Sequence, residues 1–546
     1  MNFVTPAGFR DVLAEEACLR EEMGHSVQMG FARRGYMPIE TPTLEVMDVM
    51  EAGGRIPGAP FKLFDAQGDL LAMRPDVTLQ VARMCATRLK DEAGPFKFRY
   101  TQRVFRETDT QASARELTQI GIESIGESGP ASDAELVGLF AEALNTCKVE
   151  NFTLALGTVS VLRALLEKCQ APPAWKRAVL KAYHASNFVE LDALVAAATV
   201  PPQFSAAIKA LPRIRGDRAA IEAARALVAP LGCAGGLDAF EKTYDYLVQE
   251  GLASCILVDF SVMSSFDYYT GIVIEAYVPG LGAPVGSGGR YDTMLAAYGQ
   301  NRPAAGFAFY LEQVMAAAAP TAAAPAPVPA APAAERPLRI AVPKGSLNAD
   351  TLAALARAGL DTTGLKDSGR QLIIRNPGVE YIIVRPTDAP VFVALGAADC
   401  GICGKDSLLE AECDVVELVD LRFGACQFIV AEPADAAHVA AAHYRKLGSI
   451  RVATKYPRIT KAYYASIGVQ VEIVKLHGNI ELAPLCGMAE RIVDITATGT
   501  TLRENNLIVV DEVLASTARF FANTCAFRLD KRIGSLAQSL QKLTKE

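Results

Sequence analysis

Asp494-Ile495-Thr496-Ala497-Thr498-Gly499-Thr500-Thr501-Leu502 follows the apolar pair Ile492-Val493 and precedes Arg503-Glu504-Asn505-Asn506. An apolar strand that ends in a carboxylate and runs through a Thr/Gly turn into a helix offers free backbone N–H groups and hydroxyls to a phosphate. The same hydroxyls can serve as helix N-caps with no ligand present. The stretch reads as strand, turn and helix, the repeating unit of an α/β sheet, with phosphate cradling and plain capping both open.

Outward from that loop, apolar strands alternate with helical patterns: 340–342, 382–384, 399–402, 428–431, 450–453, 469–474 and 492–495. Such alternation predicts parallel sheets with ligands at the strand carboxyl ends. Residues 338–546 suffice for two small α/β lobes, and the cleft between them is the default site. Polar residues gather at these strand ends. Lys344 and Gly345 follow the first strand, Arg370 and Arg375 flank 371–374, and Arg385 follows 384. Lys405 and Asp406 follow Gly404, and Glu481 precedes the opening loop. Converging on one cleft, they would suit highly phosphorylated substrates.

Residues 316–337 are almost entirely Ala and Pro, a composition that builds no core and favours an extended spacer. The chain of 546 residues is therefore expected to be multidomain, with a first module over 1–315 and a second over 338–546. A net charge of -7 gives no basic footprint for nucleic acid. The 12 cysteines lack an even framework of close spacings, so reduced thiols are expected. Cys400 and Cys403 have C-x-x-C spacing but no matching second pair, which argues against a metal. The first residues show no basic region followed by an apolar stretch, and no run reaches 18 apolar residues. A cytoplasmic protein away from membranes is expected.

In the first module a helical pattern covers about 14–34, and residues 70–78 read as a strand delivering Arg74, Asp76 and Thr78. Residues 97–106 and 115–123 alternate with period two, a strand-loop-strand pair with Arg115, Gln119 and Glu123 on one face. Residues 151–250 are Ala/Leu-rich and helical in period, broken at Pro172-Pro173 and Pro201-Pro202, so they read as a helical insertion holding the single tryptophan, Trp175, in its core.

The strand-loop-strand pair resembles motif 2 of class II aminoacyl-tRNA synthetases. Tyr268-Tyr269-Thr270-Gly271 and Gly288-Gly289-Arg290-Tyr291-Asp292 resemble the histidine-binding stretch and the last glycine-rich strand of the histidyl type. The resemblance implies an antiparallel α+β module whose Asp76, Thr78, Arg115, Gln119, Glu123, Tyr268 and Tyr269 line an amino-acid pocket. Carboxylates suit an α-ammonium, and tyrosine and glutamine can orient an imidazole. Ser264 stands where that type carries a catalytic arginine, and the spacer stands where its anticodon-binding domain would follow. Both departures resemble the silent synthetase relative that regulates ATP phosphoribosyltransferase.

The second module resembles the short form of ATP phosphoribosyltransferase, through Gly401-Ile402-Cys403-Gly404-Lys405-Asp406, Thr454-Lys455-Tyr456-Pro457, Glu481-Leu482-Ala483-Pro484 and the opening loop. The resemblance implies a two-lobed, periplasmic-binding-protein-like α/β fold and transfer of phosphoribosyl from phosphoribosyl pyrophosphate to N1 of ATP, the first step of histidine biosynthesis. Asp494, Thr498, Gly499, Thr500 and Thr501 are assigned to phosphoribosyl pyrophosphate. Lys344, Arg370 and Arg375 are assigned to the leaving pyrophosphate and catalysis. Lys344, Gly345, Arg385, Lys405, Asp406 and Glu481 are assigned to ATP. Mg²⁺ is expected to travel with the phosphates rather than sit in a protein-built site. Histidine is expected to inhibit, bound in the first module or near its junction with the second, in a dimer or tetramer. A tRNA-charging enzyme and a solute-binding module are the rival readings.

Overall fold

The computed structural model describes residues 4–53, 60–107, 114–263, 268–318, 336–366, 369–436, 439–496 and 499–544. Ser264, Thr498 and most of the Ala/Pro segment lie outside the described residues. The chain forms two compact units, Met1–Pro329 and Ala330–Glu546.

The first unit is built on a nine-stranded sheet. Its order is Met37–Pro38, Phe96–Phe105, Glu116–Ile125, Ala304–Tyr310, Gly286–Arg290, Ile272–Tyr277, Thr153–Thr158, Ile256–Asp259 and Arg215–Gly216. The strands from Phe96–Phe105 to Thr153–Thr158 pair antiparallel, and a parallel pair lies toward each edge. Helices Ala14–Arg33 and Pro130–Thr146 pack on one face, where Phe140 stacks on Phe307 with ring centroids 4.4 Å apart. Leu136, Val137, Leu139 and Phe140 are each buried there, and each such side chain stabilises the fold by roughly 1.5–3 kcal/mol. The polar ligand-facing groups are left to the other face.

Leu70–Met73 belongs to a separate three-stranded sheet with Leu44–Val46 and Lys62–Phe64, and the helix Thr78–Thr87 begins directly afterwards. The expected long strand over 70–78 is thus a short strand and a turn that carries Asp76 to a helix start. The stretch expected to be a helical insertion opens instead with the strand Thr153–Thr158, which pairs with Ile272–Tyr277 and Ile256–Asp259. Leu154, Ala155 and Leu156 are all fully buried, so its residues carried no half-exposed alternation to betray a strand. Helices follow, and Pro173 and Pro202 start two of them at the first helical position, where proline costs no hydrogen bond. Trp175 is only half-buried, and its indole N–H donates to Leu194 O at 2.9 Å, so it is not the unpartnered core residue expected.

The second unit contains two sheets. One runs Ile373–Asn376, Val379–Val384, Leu338–Pro343, Cys400–Gly404, Ala518–Asn523 and Val415–Asp420. The other runs Val471–Lys475, Ile450–Thr454, Arg491–Thr496, Cys426–Pro433 and Leu507–Ser516. Both are mixed rather than parallel: the parallel strands 338–343, 379–384 and 400–404, and 450–454, 471–475 and 491–496, are flanked by antiparallel ones. Ile373–Asn376 is antiparallel because a tight hairpin joins it to Val379–Val384, and the other antiparallel strands arise where the chain leaves one sheet for the other, through 421–425 and through Thr517, instead of returning by a helix.

Candidate functional site

In the first unit, Asp76, Thr78, Gln119, Tyr268 and Tyr269 line one cavity with Ser287, Tyr291, Gly306, Phe307, Ala308 and Tyr310. The free space inside is small, about 20 Å³, room for roughly one water. Tyr268, Tyr269 and Tyr291 form an aromatic wall, with centroids 4.8 Å apart between the first two and 5.7 Å between Tyr268 and Tyr291. Burial pushes all three phenols well above their usual range, so they act as neutral donors.

Glu123 lies behind this wall, 1% exposed. Its Oε1 accepts from Thr78 Oγ1 at 2.7 Å and Tyr100 OH at 3.3 Å, and its Oε2 accepts from the Tyr291 hydroxyl. Burial raises its carboxyl to about 8; the bonds from Tyr291 and Thr78 oppose the rise and Asp76 adds to it. Space around it is set by Gly306, where a Cβ would stand 2.0 Å from Glu123 Oε2. Arg115 does not join the cavity. Its backbone N–H donates to Gly8 O at 2.9 Å, and its side chain packs against Gly8, where a Cβ would come within 2.6 Å.

Arg106, unlike Arg115, lies beside a cavity-lining ring. Its Nε donates to Pro75 O at 3.0 Å, its guanidinium lies 5.2 Å from the centroid of the cavity-lining Tyr310, and its buried Nη2 has no hydrogen-bond partner among the described residues. An orphaned buried guanidinium nitrogen costs free energy until an acceptor arrives. Arg106, Tyr291 and Tyr310 were not singled out from the sequence. Arg106 ends the alternating strand and Tyr291 lies in Gly-Gly-Arg-Tyr-Asp, so both had a signal, whereas Tyr310 had none.

In the second unit the opening loop is a strand end followed by a helix start. Asp494 is in the strand Arg491–Thr496, Gly499 takes a left-handed φ of +68°, and Thr500 and Thr501 begin the helix Thr500–Glu504. Thr496 Oγ1 accepts from Gly499 N at 2.8 Å, which closes the turn. The first-turn amides of a helix lack partners within the helix itself, and its amino end favours an anion. Lys455, at the end of the adjacent strand Ile450–Thr454, places Nζ 4.0 Å from Asp494 Oδ1. Burial raises the Asp494 carboxyl above its ordinary value, its backbone bond and Lys455 oppose this, and Glu481 adds to it. Glu481 is thus grouped with the loop. Lys455 was quoted within Thr-Lys-Tyr-Pro and given no role, because only strand pairing brings residues 455 and 494 together.

The other assigned residues are dispersed. Lys344, Gly345 and Arg385 follow neighbouring strand ends, where Lys344 N donates to Val384 O at 2.8 Å. Arg370 is exposed before the edge strand, and Arg375, on that strand, pairs with Glu380 at 2.6 Å. Lys405 and Asp406 do not present free side chains: Lys405 pairs with Glu417, and Asp406 Oδ1 accepts from Ser516 Oγ at 2.8 Å. An ATP contact by either would share a group already engaged inside the protein.

Residues 8–314 match the histidyl-tRNA synthetase family, and residues 385–542 match the ATP phosphoribosyltransferase family. An ATP phosphoribosyltransferase of Rubrobacter xylanophilus is 53% identical over 194 residues, covering 36% of this chain and 90% of that one. An ATP phosphoribosyltransferase regulatory subunit of Moorella thermoacetica is 37% identical over 320 residues, covering 58% of this chain and 82% of that one. The chain belongs to both families. Its first unit is of the regulatory-subunit type and its second is a transferase of histidine biosynthesis, joined in one polypeptide. A solved ATP phosphoribosyltransferase regulatory subunit/histidyl-tRNA synthetase from Bacillus halodurans shares the fold at a TM-score of 0.56 and 26% identity, covering 70% of this chain and 99% of that one.

Proposed function

We propose that the second unit joins ATP to phosphoribosyl pyrophosphate, giving phosphoribosyl-ATP and pyrophosphate, and that histidine held in the first unit's cavity inhibits it. The observation that supports the catalytic half is the 53% identity to an ATP phosphoribosyltransferase across nearly all of that enzyme. Adenine N1 attacks the anomeric carbon, a C–N bond forms, and the C–O bond to pyrophosphate breaks. N1 already carries a lone pair, so the step needs alignment and charge neutralisation more than a strong base. Asp494, Thr498, Gly499, Thr500 and Thr501 hold the ribose 5-phosphate end, and Lys455 adds a cation beside them. Lys344, Arg370 and Arg375 neutralise the leaving pyrophosphate and the ATP phosphates. Lys344, Gly345 and Arg385 receive ATP, Lys405 and Asp406 support that face of the cleft, and Glu481 meets ATP from the opposite lobe, beside the loop. Mg²⁺ carried by the phosphates would neutralise part of their charge without a protein-built site. The two sheets act as the lobes of a periplasmic-binding-protein-like clamp, in a cytoplasmic dimer or tetramer.

In the cavity, Asp76 takes the histidine α-ammonium, Arg106 its carboxylate, and Gln119, Tyr268 and Tyr269 its imidazole, while Glu123 behind them holds Thr78 and Tyr291 in place. Inhibition by ordinary coupling requires histidine to favour the inactive arrangement by about 1–3 kcal/mol. The test is phosphoribosyl-ATP formation from ATP and phosphoribosyl pyrophosphate, with and without histidine. Absence of product refutes the catalytic half. Product formation indifferent to saturating histidine refutes the sensing half.

A further inference from the structure

The helix Lys405–Ala411 belongs to the first sheet of the second unit and the helix Pro457–Ser466 to the second, and they meet end to end. Glu410, in the last turn of the former, caps the latter: its carboxylate accepts from Arg458 N at 3.2 and 3.1 Å and from Ile459 N at 3.1 Å. Arg458 returns the contact. Its Nη1 donates to Glu410 O at 3.0 Å and Ala411 O at 3.1 Å, and its Nε lies 3.3 Å from Glu412 Oε2. Each helix thus lends the other the charge its exposed end lacks: an anion at the amino end of one and a cation at the carboxyl end of the other. The joint is further defined by Glu412, a non-glycine residue at φ 47°.

Away from this joint, the sheets are linked by two chain crossings, 421–425 and Thr517, with the Asp406–Ser516 bonds lying directly beside the second crossing. Two crossings leave a rotation about themselves, and a third contact away from them removes it. Arg458 stands three residues after Lys455, which faces Asp494. The joint therefore anchors the segment that carries a cation to the phosphoribosyl loop.

We propose that Glu410 and Arg458 are positioning residues for phosphoribosyl transfer, a reciprocal helix cap that sets the angle between the two lobes. The proposal rests on the transferase reading of this unit. Phosphoribosyl pyrophosphate is held by one lobe, with Asp494, Thr500, Thr501 and Lys455 all on the second sheet or the helix after it. ATP is met by the other lobe, through Lys344, Gly345 and Arg385. Loosening the cap spares the first event and misaligns adenine N1 with the anomeric carbon.

The test uses the full chain with Glu410→Ala and Glu410→Gln, measuring kcat, the Kd of phosphoribosyl pyrophosphate, and hydrogen exchange at the Arg458 and Ile459 amides. Glu410→Ala is expected to lower kcat tenfold or more, to leave the Kd within twofold, and to speed exchange at both amides. Glu410→Gln, which keeps one acceptor oxygen, is expected to bring kcat back to within about threefold of the parent. Arg458→Lys loses the fork that reaches two carbonyls but keeps the cap, and it carries the same kcat-against-Kd split if the alanine variant does not fold. A kcat within twofold of the parent despite faster amide exchange overturns the proposal, as does a Kd that rises in step with the fall in kcat. A parent protein that makes no phosphoribosyl-ATP overturns the transferase reading instead.

Discussion

Replacing Glu123 by Gln tests the cavity most directly, because its consequence depends on pH with a definite sign. The carboxyl is buried against Thr78, Tyr100 and Tyr291, and its value rises from 4.5 to about 8. The folded state therefore holds a proton that the unfolded state releases above 4.5. Stability from this group is fully present below 4.5 and is lost as pH rises toward about 8. The interval between 4.5 and about 8, at about 1.4 kcal/mol per pH unit, sets an upper bound of about 5 kcal/mol. Between pH 5 and 7 the same slope corresponds to at most about 2.7 kcal/mol, or roughly 4 °C in a unit of this size. Gln carries no ionisable group and resembles the neutral carboxyl, so the Tm of the variant relative to the parent should climb across that window. The assay is thermal unfolding of ligand-free full chain at several pH values, with the Tm difference plotted so that all other titrating groups cancel. Parallel curves for the two proteins from pH 5 to 8.5 would refute a neutral Glu123.

Gly306→Ala places a methyl 2.0 Å from Glu123 Oε2, so histidine inhibition should disappear while activity without histidine persists; retained inhibition would count against the cavity. Arg106→Lys removes the fork beside Tyr310 and should weaken histidine binding by about tenfold in calorimetry, consistent with roughly 1.5 kcal/mol for a charge-assisted bond. Thr501→Ala should raise the KM for phosphoribosyl pyrophosphate several-fold, about 1 kcal/mol, and leave histidine binding intact; equal loss of both would make the loop structural. Gly499→Ala forces a side chain into φ +68° and should lower affinity for phosphoribosyl pyrophosphate at a cost of about 1–2 kcal/mol, read by calorimetry.

The elements most legible in the sequence were those whose signal is local. The helix expected over 14–34 occupies Ala14–Arg33, and the alternating pair appears as Phe96–Phe105 and Glu116–Ile125. The strand at 153–158 was lost within an Ala/Leu-rich stretch because it is buried on both faces. The antiparallel strands Val415–Asp420, Leu507–Ser516 and Ala518–Asn523 were not anticipated, since the expectation of parallel sheets has no place for a chain that crosses between two sheets. Among site residues, Asp76, Thr78, Gln119, Tyr268 and Tyr269 share a cavity, because strand and helix starts at fixed register carry them to one face of one sheet. Arg115 lies just before its strand, where contact with Gly8 takes its side chain elsewhere.

By itself the sequence determined the division into two modules, the two family resemblances and the phosphate-loop motif, because composition, periodicity and short motifs need only near neighbours along the chain. Only the tertiary structure decided which charged groups are spoken for. Glu123 is neutralised by burial among residues up to 168 positions away, Arg106 has a buried nitrogen with no hydrogen-bond partner among the described residues, and Asp406 is bonded to Ser516 110 positions on. Lys455 reaches Asp494, and Glu410 reaches Arg458, across strand and helix pairings that no local pattern encodes. The physical reason is that a side chain's charge state and freedom depend on desolvation and on partners, and both are set by distant chain segments once the core has closed.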